Sequence, residues 1–344
     1  TDGGATWVEL TVGLSEGPIG RIGLDIYRRD GNIVYAQVEA RRGRGVYRST
    51  DRGDTWEFLS ENNNRPMYYS QIRIDPNDPE RIYTGGSNLF RSSDGGKTFT
   101  PDAASEVHSD HHALWINPAN SNHLILGGDG GVDISWDRSD TWRQLRNIPL
   151  AQFYEIGVDM RDPYYVCGGL QDNGSWCAPS QTLSNQGVRN RDWYNVHGGD
   201  GFYTVMNPED PTVMIAESQG GRVSRVDLNT MERLSIAPVA RPNDDEEDRR
   251  YRGNWNTPIV MSAHDRDVYY VGYNHLLKST DRGISWQEIS PDLTKQIDRS
   301  ELEIMGEGEA RMLSRHDGIS SYGNMTTIGE SALNASLIYI GTDD

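Results

Sequence analysis

Ser49–Trp56 reads STDRGDTW, and the same pattern returns as SSDGGKTF at Ser92–Phe99, SWDRSDTW at Ser135–Trp142 and STDRGISW at Ser279–Trp286. A partial copy, TDGGATW, opens the chain at Thr1–Trp7. The pattern is S-x-D-x-G-x-[TS]-[WF], with Ser139 standing for the glycine in one copy. Its aspartates fall at 2, 51, 94, 137 and 281. The first four are spaced 49, 43 and 43; the last gap, 144, is about three units of 48. A short polar turn that closes on itself suits the junction of two antiparallel strands. A 40–50-residue period of such turns predicts propeller blades.

Composition agrees. Thirty-seven glycines, seventeen tyrosines and nine tryptophans in 344 residues, without a long helical period, point to many short strands. A second recurring element is an apolar strand followed by a turn such as Asp75–Pro79, Asp159–Pro163 or Asn207–Pro211. Each unit therefore reads as four strands, a to d: an Asp-Pro turn joins a to b, a Gly-rich turn b to c, and the S-x-D turn c to d. Six such units fit between residues 18 and 290, and a seventh begins at Met325 and stops after its second strand. The expected fold is an all-β, multi-bladed β-propeller: about six complete four-stranded blades plus a partial seventh closed by the chain ends. Residues 6–13 would supply that last blade's strand d. One propeller domain over 1–344 is expected, as a piece of a longer protein.

The formal charge of −18 argues against nucleic acid and anionic membrane as partners, and suits a neutral or cationic ligand. No apolar run approaches the ~18 residues of a membrane span.

The S-x-D-x-G-x-x-W turn is the Asp-box, and the chain resembles the BNR/VPS10 propeller proteins, sortilin-like domains and the bacterial set labelled glycosyl hydrolase with BNR repeats. The likeness to that set lies in Asp110–Leu114 (DHHAL), Gly127–Gly131 (GGDGG), Gln171–Ser175 (QDNGS) and Gly198–Phe202 (GGDGF). The resemblance implies a secreted or periplasmic glycoside hydrolase acting on an oligo- or polysaccharide. The alternative it implies is a non-enzymatic sortilin-like propeller binding peptide or glycan. No motif matches the tandem-domain xyloglucanase type, and no sialidase arginine triad can be assembled.

In a four-stranded meander the a–b and c–d turns share one end of the blade, and the b–c turns and d–a connections share the other. GGDGG is a b–c turn, and a hairpin needs one or two glycines, not four. Gly-Gly recurs beside Gln171, Asp172, Asp200 and Gln219, as if backbone were thinned for a ligand. The bland alternative is close packing of inner strands. The candidate catalytic carboxylates on this rim are Asp110, Asp129, Asp172, Asp200 and Glu217, with Asp129, Asp172 and Asp200 expected in one cleft. Candidate substrate-binding residues are His108, His111, Gln171, Gln219, Asn254, Trp255, Asn256 and Tyr68. His108, Asp110 and His111 are candidate metal ligands, and a divalent cation, calcium or zinc, is the only cofactor the rim suggests. In strand geometry His108, Asp110 and His112 share one side and His111 the other.

His123 and His264 read as surface residues, Arg41, Arg42 and Arg44 as a solvated turn, and Asp244–Asp248 as a solvated insertion. Cys167 and Cys177 fall nearly opposite each other across the Gln171–Asn173 hairpin, which predicts a disulfide.

Overall fold

The computed structural model describes residues 3–101, 103–148, 150–239, 251–303, 312–319 and 321–344. Asp2 and the acidic run Asp244–Asp248 lie outside them. The fold is an all-β, multi-bladed propeller of consecutive antiparallel meanders. Blade 1 is Ile19–Ile26, Val34–Ala40, Gly45–Ser49 and Glu57–Ser60. Blade 2 is Gln71–Asp75, Asp78–Gly85 and Phe90–Ser92, with a bridge from Arg91 to Thr100 in place of a fourth strand. Blade 3 is His111–Ile116, Leu124–Gly128, Gly131–Ser135 and Arg143–Gln144. Blade 4 is Glu155–Val158, Tyr165–Leu170, Gly174–Pro179 and Tyr194–His197; blade 5 is Gly201–Asn207, Asp210–Ser218, Arg222–Asp227 and Arg233–Ser235. Blade 6 is Ile259–Met261, Tyr269–Gly272, Leu276–Ser279 and Gln287–Glu288, and Met325–Glu330 pairs with Ile338–Thr342 as a two-stranded blade 7.

The chain forms two compact units, 1–148 with 300–317, and 149–299 with 318–344. Within each, successive blades pack face to face. In the first unit Tyr35 and Val46 of blade 1 meet Ile72 and Ile82 of blade 2, and Tyr83 and Leu89 meet Leu124 and Leu126 of blade 3. In the second, Cys167 and Val196 of blade 4 meet Met206 and Met214 of blade 5, and Ile215 and Val223 meet Ile259 and Val271 of blade 6. Sheet faces bury this way because the second strands carry runs of residues buried on both faces, as in Val34–Ala40 and Tyr269–Gly272.

The S-x-D turns close on themselves. Asp51 Oδ1 accepts from Ser49 Oγ (2.7 Å) and the Thr55 amide (2.9 Å), while Oδ2 accepts from Thr55 Oγ1 (2.6 Å). Ser49 Oγ in turn accepts from the Gly53 amide (2.8 Å). The same bonds recur around Asp94, Asp137 and Asp281. They hold the Asp51 and Asp94 carboxyls down to about 2, the Thr55 and Thr98 donors contributing most. The closing tryptophan reaches the preceding blade: Trp142 Nε1 donates to Ala103 O (2.9 Å) and Trp286 Nε1 to Ile236 O (2.7 Å).

Two expectations about covalent and terminal features meet different outcomes. Cys167 and Cys177 face each other in the hairpin register and are disulfide-bonded, with Cα atoms 4.1 Å apart. Residues 6–13, in contrast, form no strand: Trp7 and Val8 are exposed, and Val12 O accepts from the Trp56 amide (3.0 Å). A lone segment without a neighbouring strand c has no ladder to join, so it lies against blade 1 instead. No helix of the described residues is long and apolar enough to cross a membrane.

Candidate active-site rim

In both units a b–c turn meets a d–a connection, as the meander requires. The GGDGG turn shows why. Gly131 has φ +116°, a conformation that favours glycine. A Cβ on Gly130 would stand 2.3 Å from His108 Cβ, and one on Gly128 would stand 2.6 Å from Asp110 O. Gly127 has ordinary room, its nearest neighbour being 3.7 Å away. The bare backbone is thus occupied by the protein's own 108–110 segment, whose Asp110 O accepts from the Asp129 amide (3.2 Å).

That docking puts two carboxylates side by side in the first unit, with oxygens of Asp110 and Asp129 within 4.8 Å of each other. Each has a different donor. Tyr69 OH donates to Asp110 Oδ1, and Ser109 Oγ to its Oδ2 (3.2 Å). His112 Nε2 lies 3.1 Å from Asp129 Oδ1. The His112 ring packs edge-on to Tyr68 and tilted on Tyr69, centroids 5.4 and 5.2 Å away. Tyr68 also carries the Arg65 guanidinium, 4.4 Å from its ring centre and itself paired with Asp317 (2.9 Å). Burial pushes the Tyr69 hydroxyl upward, reinforced by its bond to Asp110, so it acts as a donor. Beneath the turn, burial also raises the Asp133 carboxyl, with His108 opposing.

The second unit builds its own rim. The Asp172 amide donates to Asp200 Oδ1 (2.7 Å), the Asp200 amide to Gln219 Oε1 (2.9 Å), and the Gln219 amide to Asp200 O (3.1 Å). One residue on, the Gly220 amide donates to Trp255 O (3.2 Å). Tyr154 OH donates to Gln171 Oε1, and the Tyr154 ring stacks on Phe202, which meets Trp255 edge-on. Two half-exposed aromatics, Tyr154 and Trp255, therefore meet through Phe202, two residues from a carboxylate that accepts from the Asp172 amide.

No family model matches the chain. Among curated proteins it is similar to an oligoxyloglucan-reducing end-specific xyloglucanase of Emericella nidulans, 28% identical over 156 residues, 40% of this chain and 19% of the relative. Xyloglucanase Xgh74A of Acetivibrio thermocellus is 24% identical over 268 residues, 71% of this chain and 28% of the relative. The chain thus spans less than a third of the curated relatives it matches. Among solved structures, the Niastella koreensis GH74 enzyme aligns over 80% of this chain and 59% of its own at 12% identity, TM-score 0.32. YCF48 from Cyanidioschyzon merolae covers 79% and 84% at 15% identity, TM-score 0.29. The curated relatives carry the xyloglucanase name for which the sequence offered no motif.

Other expected site residues take quieter places. His111 is buried and lines a small space with Gly85, Leu89 and Leu126. His108 Nδ1 lies 3.0 Å from Ser109 O, and among the described residues neither His108 nor His111 joins Asp110 in a group that could hold a metal ion. Asn254 Oδ1 accepts from the Asn256 amide (3.0 Å) and so shapes its own loop, whereas Asn256 Nδ2 donates to Glu155 Oε1 on the first strand of blade 4 (3.2 Å). Glu217 has no exposed surface and lies beneath the rim rather than on it. His112, Tyr69 and Tyr154 were not among the expected site residues. His112 had a signal, the strand alternation that placed it with Asp110. Tyr154 occupies a d–a entry like Asp110 and Asp200, and its place in the period is the signal that locates it. Tyr69 had none.

Proposed function

We propose that the chain is the propeller portion of a glycoside hydrolase acting on a neutral, β-glucan-like polysaccharide such as xyloglucan, with the b–c rim of each unit as an active surface. The observation that carries this is the close Asp110–Asp129 pair, two carboxylates with chemically different donors beside Tyr68. Hydrolysis of a glycosidic bond needs one carboxyl to protonate the leaving oxygen and another to act on the opposite side of the sugar. The Asp172–Asp200 pair with Tyr154 and Trp255 supplies stacking surfaces and hydrogen-bonding groups for sugar rings. The xyloglucanase relatives and the acidic charge, which suits a neutral substrate, support the same assignment. The kinship with BNR/VPS10 propellers, supported by the four self-bonded turns, and an exported location, supported by the disulfide, belong to this proposal.

The test is release of reducing ends from xyloglucan and a panel of other β-glucans by the wild-type protein, Asp129→Asn and Asp200→Asn. The expected result is turnover by the wild type and a loss on the order of 100-fold or more in each variant, with melting temperatures unchanged. Polysaccharide or peptide binding without turnover would replace the hydrolase with a binding propeller.

A further inference from the structure

Glu217 is the next-to-last residue of the second strand of blade 5, paired with Val223 just before the turn to the third. Its side chain points inward, not outward. Oε1 accepts from the Gly221 amide four residues on (3.3 Å), and the amides of Thr257 and Tyr203 face the carboxyl, whose Oε2 is buried without a hydrogen-bond partner. Gly221 cannot move aside: its φ is +78°, a Cβ there would stand 2.5 Å from the Tyr273 ring, and Tyr273 OH donates to its carbonyl (2.6 Å). The turn is therefore fixed from beneath by Glu217 and Tyr273. Its outer side holds the rim, since Gln219 bonds Asp200 twice and Gly220 bonds Trp255.

We propose that Glu217 is a positioning residue, a carboxyl that acts through the Gln219–Gly221 turn to hold Asp200 and Trp255 in place. It deepens the hydrolase assignment and rests on it for its effect on turnover. The groups facing Glu217 are Glu155, Tyr203 and Tyr273, with Tyr251 behind Tyr273. Burial pushes the carboxyl up to about 9, against the pull of the three amides, and the Glu155 charge adds to the rise. At neutral pH Glu217 is thus an uncharged acid, and its ionisation places a negative charge in a closed space beside Glu155. That charge must draw the turn inward or admit water, and either displaces Asp200 and Trp255.

The experiment follows the backbone amides of Gly220 and Gly221 and the Trp255 indole N–H by two-dimensional NMR from pH 6 to 10, with turnover on xyloglucan measured in parallel, in the wild type and Glu217→Gln. Glutamine keeps the shape and cannot ionise. In the wild type the three signals are expected to move together with a midpoint near 9, and in Glu217→Gln to stay flat. Turnover by Glu217→Gln at one pH unit above that midpoint should exceed the wild type about tenfold, with the two alike at pH 7. Equal movement in both proteins, or none in either, overturns the proposal. Absence of turnover by the wild type overturns the hydrolase assignment alone, and the NMR titration still decides the role of Glu217.

Discussion

At the residue scale, the glycines of the GGDGG turn divide by what lies above them. Gly130→Ala drives a methyl to 2.3 Å from His108 and should cost about 1–3 kcal/mol, whereas Gly127→Ala meets nothing closer than 3.7 Å and should change stability by about 0.5 kcal/mol or less. Urea unfolding of the two variants compares them directly; equal losses would mean that the 108–110 segment does not rest on the turn. Glu217 supplies a second test. Its folded carboxyl is raised from 4.5 to about 9, so its contribution to stability is fully present below 4.5 and is lost as pH rises toward 9. The wild type should therefore lose on the order of 1 kcal/mol per pH unit relative to Glu217→Gln across that window. Parallel unfolding curves for the two proteins at pH 5 and pH 8 would contradict it.

At the scale of the element, each S-x-D turn should behave as a local clasp. Asp281→Ala removes the bonds from Ser279, Ser285 and the Ser285 amide, and frees the strand that carries Trp286 and its bond to Ile236. A loss of about 1–3 kcal/mol is expected, read as a lower denaturation midpoint with an unchanged slope. Replacing both Cys167 and Cys177 by serine should cost about 2–3 kcal/mol, since the bridge closes a short loop. These elements were legible in the sequence because their bonds are local: Asp51 and Thr55 are four residues apart, and the cysteines share one hairpin. The rim was legible only in part. Meander topology placed Asp110, Asp129, Asp172 and Asp200 at turn ends, which a period alone can do. It could not tell that Glu217 lies beneath the turn or that Asn256 bonds Glu155, because their partners, Tyr203, Tyr273 and Glu155, come from other parts of the period. Residues 6–13 misled for the same reason. Their alternation suits a strand, and a strand exists only where a neighbour offers backbone.

For the whole molecule, the charge of −18 and the uncharged ligand of the proposal make a joint expectation. Retention of the protein on a xyloglucan affinity gel should be unchanged between low and high salt, since screening acts on charge–charge attraction and a neutral glycan provides none. A steep loss of retention with salt would point to a cationic partner. The S-x-D turns carry a last consequence. Every side-chain polar group that the aspartate and serine present is answered within the same eight residues, so apart from the tryptophan the clasp asks nothing of the blade beside it. A stretch of chain closed in this way can be copied, lost or set beside a stranger without its turn coming undone. Growth of such a protein by duplication then costs new packing between faces but no new invention at the corners.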